Sequence, residues 1–191
     1  MRAAVLVPVK DFHQAKLRLA SALTPPQRAS LARMMAGHVL AAAAPLPVWV
    51  VCDSHEVADF AREAGAAVLW LPGRGLNGAV NEGVAALAEQ GVERVVVAHG
   101  DLPLAGDLTW AARLDLVTLV PDRHDEGTNV ACVGTRSGFR FAYGPGSFQR
   151  HAAEARRLGL GLRVVREPAL GWDVDLPADL EHPALVASTP R

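Results

Sequence analysis

Short apolar runs rich in Val and Ala alternate with longer stretches of helical period along this chain, and that alternation leaves few folds open. Ala3–Pro8 reads as a buried strand. Thr24-Pro25-Pro26-Gln27 resembles a capping box with Pro at the first helical position, and it opens a helix to about Ala44 in which Leu31, Met34, Met35, Val39 and Leu40 keep the period. Val48–Cys52 follows as a strand, Ser54 caps a helix to Ala64, Ala67–Leu71 is a strand, Asn77–Gln90 a helix and Arg94–Ala98 a strand. Asp115–Val120 and Val130–Val133 read as further strands, and Phe139–Tyr143 also suits one. Ser147–Leu158 is a helix and Leu162–Val165 a last strand. The β-α-β-α-β order predicts an α/β fold, a mostly parallel sheet with helices on both faces. No repeat, low-complexity segment or linker interrupts it, so 1–191 reads as a single domain.

Charge then narrows the function. Lys plus Arg number 19 against 20 Asp plus Glu, with no long basic run, which leaves no electrostatic footprint for nucleic acid or an anionic membrane. The uncharged stretch from Met34 to Cys52 holds Pro45 and Pro47 and reads as a helix end followed by a strand, not as a membrane span. No signal-peptide pattern is seen at the N-terminus. The two cysteines, Cys52 and Cys132, lie too far apart in sequence to signal a zinc site or disulfide scaffold, and a reducing, cytoplasmic setting fits. Of the cations only Lys10 and Lys16 are lysines, as a GC-rich genome would produce, and both fall in the loop after the first strand. A compact ammonium on a flexible stem suits a phosphate.

In an open parallel sheet the ligand crevice lies at the carboxyl ends of the strands. The segments there are polar and Gly-rich, which points to a small-molecule enzyme. Neither a G-x-G-x-x-G turn nor a Walker A sequence follows the first strand. Instead Lys10, Lys16 and Arg18 sit on one loop, where they suit a triphosphate and equally a solvated turn. Asp101, in His99-Gly100-Asp101-Leu102-Pro103, stands at the lip of a strand, as a Mg²⁺ ligand or a turn residue does. Alternation puts Asp173 and Asp175 on one side of an extended segment, where two like charges call for a cation unless both face water. Gly127-Thr128-Asn129 is one anion-site candidate. Tyr143-Gly144-Pro145-Gly146-Ser147-Phe148, a Gly turn entering a helix, is another; an ordinary N-cap looks the same. His99 and His151 read as structural or solvent-facing, and the Met and Trp residues as core.

These runs, together with Gly75-Leu76-Asn77 and Asp173-Val174-Asp175-Leu176-Pro177-Ala178-Asp179-Leu180, occur in an order that resembles the 2-phospho-L-lactate or phosphoenolpyruvate guanylyltransferase family of coenzyme F-420 biosynthesis, from Ala3 to Leu180. Two departures are visible: Leu17 stands where a small hydroxyl residue is common, and His99-Gly100 precede Asp101 where Ala or an acidic residue is expected. The resemblance implies a glycosyltransferase-A-like nucleotidyltransferase fold and transfer of GMP from GTP to the phosphate of a small three-carbon acid, releasing pyrophosphate. Carried over by position, Lys10, Lys16 and Arg18 would meet the GTP phosphates and act in catalysis. Gly75 and Asn77 would border the nucleoside, Asp101, Asp173 and Asp175 would hold Mg²⁺, and Thr128, Gly144 and Ser147 would hold the acceptor. Two other readings remain open: a nucleotidyltransferase of the sugar-phosphate or molybdopterin type, and a non-catalytic nucleotide- or phosphate-binding module.

Overall fold

The computed structural model describes residues 2–182, so residues 1 and 183–191 of the expected domain lie outside the described residues. Seven strands form one sheet in the order β3-β2-β1-β4-β6-β5-β7. These are β1 (Ala3–Pro8), β2 (Val48–Cys52), β3 (Ala67–Trp70), β4 (Arg94–Ala98), β5 (Val117–Pro121), β6 (Thr128–Gly134) and β7 (Leu162–Val164). β6 runs antiparallel to both its neighbours, and every other pairing is parallel. The helices are α1 (Pro25–Ala42), α2 (His55–Glu63), α3 (Gly75–Glu89), α4 (Ser147–Arg157) and the short α5 (Pro168–Gly171).

The period-two alternation of β1 explains the two cores. Val5 and Val7 pack with Ala36 and Val39 of α1 and Val57 and Ala61 of α2, whereas Ala4 and Leu6 pack with Val80, Val84 and Leu87 of α3 on the opposite face. At the start of α1, Gln27 Oε1 accepts from the Thr24 N–H at 2.9 Å, the half of the capping box that reaches back. Met35 is fully buried, but Met34 and Trp70 are 39% and 41% exposed, which corrects the reading of every Met and Trp as core. Trp70 stacks on His55 instead. Among the described residues no helix is long and apolar enough to cross a membrane.

One expected strand is not a strand. Phe139, Phe141 and Tyr143 are buried in alternation, as predicted, yet the segment joins no ladder. Side chains take over the pairing. Arg140 N–H donates to Glu154 Oε1, Phe141 N–H to Asn81 Oδ1, Ala142 N–H to His151 Nε2 and Tyr143 N–H to Asn77 Oδ1. Asn77 and Asn81, one helical turn apart on α3, also donate Nδ2–H to the carbonyls of Tyr143 and Phe141. Asn81→Ala removes both bonds to Phe141 and is expected to cost about 1–3 kcal/mol. Thermal melting checks it at roughly 2–4 °C per kcal/mol, and an unchanged melting temperature would mean that aromatic packing alone holds the segment.

Candidate active site

A cleft of about 820 Å³ opens along the carboxyl ends of β1 to β4, within the usual range for a small-molecule site. Its walls include the loop from Pro8 to Arg18, Asp53 after β2, Leu71 after β3, Gly75, Leu76 and Ala79 at the start of α3, His99 to Asp101 after β4, and Asp175. Of the residues singled out from sequence, the cleft therefore gathers Lys10, Lys16, Arg18, Gly75, Asp101 and Asp175. Asn77, Thr128, Gly144, Ser147 and Asp173 lie outside its lining.

Lys16 organises the cleft. Its backbone is left-handed, with φ +55°, which turns the side chain inward from the loop. The side chain is 9% exposed, and its ammonium donates to Asp101 Oδ2 at 2.7 Å and to Asp175 Oδ1 at 3.0 Å. Burial alone would lower the Lys16 pKa, but the two carboxylates outweigh it and hold it above its ordinary value. Burial likewise opposes ionisation of Asp101, and Lys16 with His99 overcomes it, so the carboxyl stays below the usual range. Arg18 is 74% exposed and reaches Asp175 at 3.5 Å. Lys10 is exposed in the wall and has no ion pair among the described residues.

The segment carrying Asp173 and Asp175 is pinned from beneath. Val174 points into a small core with Leu19 and Met35, which leaves the flanking carboxylates turned away from it. Asp179 Oδ2 accepts the N–H groups of Asp175 and Leu176 at 2.8 and 2.7 Å, and its Oδ1 accepts from Arg123. The Arg123 guanidinium also lies 4.3 Å from the Trp172 ring centroid and 3.7 Å from Asp173. Burial first, then the negative charges of Asp101 and Asp175, pushes the Asp173 carboxyl above its ordinary pKa.

Three carboxylates were expected to cage Mg²⁺. Among the described residues no three His, Cys, Asp or Glu side chains converge on a metal-sized position. The reason is visible: Lys16 draws Asp101 and Asp175 toward itself, and Asp173 leans toward Arg123. The donor set still suits the ion. Asp101 Oδ1 is buried without a partner, and the carboxylates carry more charge than Lys16 cancels. Mg²⁺ commonly takes one or two carboxylates and leaves the rest of its shell to water and phosphate.

On the other side of β4, the reversed β6 begins at the same sheet edge, where His99 N–H donates to the Asn129 carbonyl at 3.0 Å. Asp122 closes the preceding loop by accepting from His124, Glu126 and Gly127 N–H. A Cβ on Gly127 would come within 2.7 Å of that carboxylate, so a side chain there would have to displace it from the N–H groups it holds. Thr128 and Ser147 are both 2% exposed, and Thr128 N–H donates to Ser147 Oγ at 3.1 Å. Gly144 takes φ +118° in the turn that delivers Ser147 to α4.

A model of the family described as "Guanylyl transferase CofC like" matches residues 3–186. The chain belongs to this family. It is 38% identical over 191 residues to the phosphoenolpyruvate guanylyltransferase of Sphaerobacter thermophilus, covering 95% of this chain and 92% of that protein. It is 37% identical to the 2-phospho-L-lactate guanylyltransferase of Halorubrum lacusprofundi, covering 92% and 81%. Among solved structures it is similar in fold to a protein from Desulfovibrio desulfuricans G20 assigned to the nucleotide-diphospho-sugar transferases, with TM-score 0.76, 19% identity and coverage of 94% and 85%. The nucleotidyltransferase fold and enzyme class expected from sequence are thus those of this guanylyl transferase.

Within this guanylyl transferase one expected nucleoside contact changes character. Both polar atoms of the Asn77 amide are engaged by the Tyr143 backbone, so Asn77 holds the 139–143 segment rather than facing the cleft. From sequence, Asp179, Arg123 and Asp122 have no assigned role, whereas His151, which reads as structural or solvent-facing, is buried with both ring nitrogens engaged. Asp179 was visible as the third acidic residue of its motif, but nothing in the spacing shows that its oxygens meet the N–H groups of Asp175 and Leu176.

Proposed function

We propose that this guanylyl transferase moves GMP from GTP to phosphoenolpyruvate, with 2-phospho-L-lactate as the alternative acceptor, in coenzyme F-420 biosynthesis. The observation that carries the reading is the buried Lys16 ammonium between Asp101 and Asp175 on the cleft floor, a charge arrangement suited to a triphosphate and its counter-ion. The nucleoside sits against Gly75, Leu76, Leu71 and Ala79, and its phosphates run toward Lys16, Lys10 and Arg18. The acceptor lies across β4, beside Thr128, Gly144 and Ser147.

An acceptor phosphate oxygen attacks the α-phosphorus of GTP; a new P–O bond forms, the bond to the bridging β-phosphate oxygen breaks, and pyrophosphate leaves with the electron pair. That oxygen is already ionised near neutral pH, so no general base is required, and the residues work by positioning and neutralising charge. Lys16 and Arg18 meet the charge that builds on the leaving pyrophosphate, and Lys10 guides the triphosphate inward. Asp101 and Asp175, with Asp173 nearby, would hold Mg²⁺, which would supply charge neutralisation on the phosphates when bound. GTP as donor and the two buried free thiols, Cys52 and Cys132, suit a cytoplasmic setting.

Incubation with GTP, Mg²⁺ and each phosphorylated acid, with products weighed by mass spectrometry, tests this. The expected product is the guanosine diphospho-conjugate of phosphoenolpyruvate with one pyrophosphate per conjugate. Conjugates formed only from CTP, or only with sugar phosphates, would replace this reading with another nucleotidyl transfer.

A further inference from the structure

His151 is wholly buried, and both its ring nitrogens are engaged. The Ala142 N–H donates to Nε2 at 2.9 Å, so that nitrogen carries no proton. Burial above all, helped by the neighbouring Arg150 charge, pushes the His151 pKa down to about 4, and the neutral ring then bears its single proton on Nδ1. Nδ1 lies 3.0 Å from Thr128 Oγ1. It follows that Nδ1–H donates and the Thr128 oxygen accepts. The rings of Phe139, Phe141 and Tyr143 surround the imidazole, with centroids 4.9–5.8 Å away, and Arg150 Nε–H holds the Ala142 carbonyl at 3.0 Å.

This polarity has a chemical consequence. Thr128 cannot give its hydroxyl proton to His151, because the facing atom is itself a donor. Ser147 Oγ accepts the Thr128 N–H, so its own proton is also left over. Two buried hydroxyls, on β6 and at the start of α4, are therefore each left with a proton to donate, which suits the oxygens of an anion. Were the imidazole proton on Nε2, it would oppose the Ala142 N–H, and Thr128 would turn its proton toward Nδ1.

We propose that His151 is a positioning residue for the acceptor: by accepting from Ala142 and donating to Thr128, it directs the Thr128 hydroxyl proton to the phosphate or carboxylate of the acid. This rests on the acceptor placement proposed above. Two substitutions split the imidazole's functions. His151→Gln can keep an acceptor for Ala142 but no donor at the Nδ1 position, whereas His151→Asn can keep an amide donor near Nδ1 and lose the Ala142 bond. Each forfeits one hydrogen bond, so melting temperatures should fall by similar amounts.

Steady-state kinetics with phosphoenolpyruvate, and GTP affinity by calorimetry, then separate the roles. His151→Gln is expected to raise the acceptor KM by about tenfold or more with GTP affinity unchanged, as loss of a hydrogen bond to a charged group does. His151→Asn should stay within about threefold of wild type. Equal KM changes in both variants, or a wild-type KM in His151→Gln, would overturn the proposal. If His151→Gln does not fold, a tenfold rise in His151→Asn overturns it, and His151→Ala, which removes both bonds, must then raise the acceptor KM about tenfold with GTP affinity unchanged, a wild-type KM there overturning the proposal as well. Thr128→Val tells this failure from that of the underlying reading. If Thr128→Val leaves the acceptor KM unchanged, the acceptor placement itself is wrong and the proposal falls with it. If Thr128→Val raises KM while His151→Gln does not, only the role of His151 is lost.

Discussion

Replacing Lys16 by Met is expected to slow pyrophosphate release by about 10²–10³-fold, the loss typical when one donor aimed at developing charge is removed. Lys16 holds two carboxylates at 2.7 and 3.0 Å from a site that is 9% exposed, so its charge acts where water screens little. The same burial predicts a second effect. Without the ammonium, Asp101 keeps a part-buried charge that has lost its ion-pair partner, and breaking a buried pair from one side costs at most about 3–5 kcal/mol for a site this exposed. Slow turnover could then reflect lost folding rather than lost catalysis. The double variant Lys16→Met, Asp101→Asn separates them, because it removes both charges: melting should recover toward wild type while the rate stays low. A folded Lys16→Met protein with wild-type kcat would reduce Lys16 to a structural counter-ion.

The parts of this guanylyl transferase that were legible in sequence are those governed by local period. Burial of Val5 and Val7 on one face and Ala4 and Leu6 on the other follows from alternation alone, and so do both cores. The cleft at the carboxyl ends of β1 to β4 follows from parallel pairing. What stayed hidden depends on which side chain reaches which backbone. Phe139–Tyr143 alternates as a strand does, but its N–H groups are met by Glu154, Asn81, His151 and Asn77, residues up to 66 positions away. An Asn at the mouth of a helix looks the same in sequence whether it faces a nucleoside or a carbonyl. Lys16 was marked by its rarity among arginines, yet its place between Asp101 and Asp175 needs a left-handed backbone that few non-glycine residues adopt. His151 stands three residues after the Tyr143–Phe148 run, but nothing in the sequence shows that its ring meets the Ala142 N–H and the Thr128 hydroxyl.

Chelation is expected to abolish pyrophosphate release, and added Mg²⁺ to restore it. Asp101 and Asp175 line one end of the cleft, where Lys16 answers both, and Asp173, just outside the lining, is held above its ordinary pKa by burial and by the charges of those two. A triphosphate adds further negative charge there, which Lys16, Arg18 and Lys10 alone do not balance. Divalent neutralisation is worth several kcal/mol, and each ~1.4 kcal/mol is tenfold in rate. Asp101→Asn should therefore lower kcat by about 10³-fold and raise the Mg²⁺ concentration needed for half-maximal rate. Asp173→Asn separates metal chemistry from scaffold. Neutralising a carboxyl that its neighbours repel relieves strain in the folded protein, so this variant should melt at or above the wild-type temperature while losing activity, the trade expected of a group kept for function. An Asp173→Asn protein that is both destabilised and fully active would make the carboxylate a partner of Arg123 alone. Wild-type turnover in excess chelator would leave Asp101 and Asp175 as counter-ions of Lys16 and nothing more.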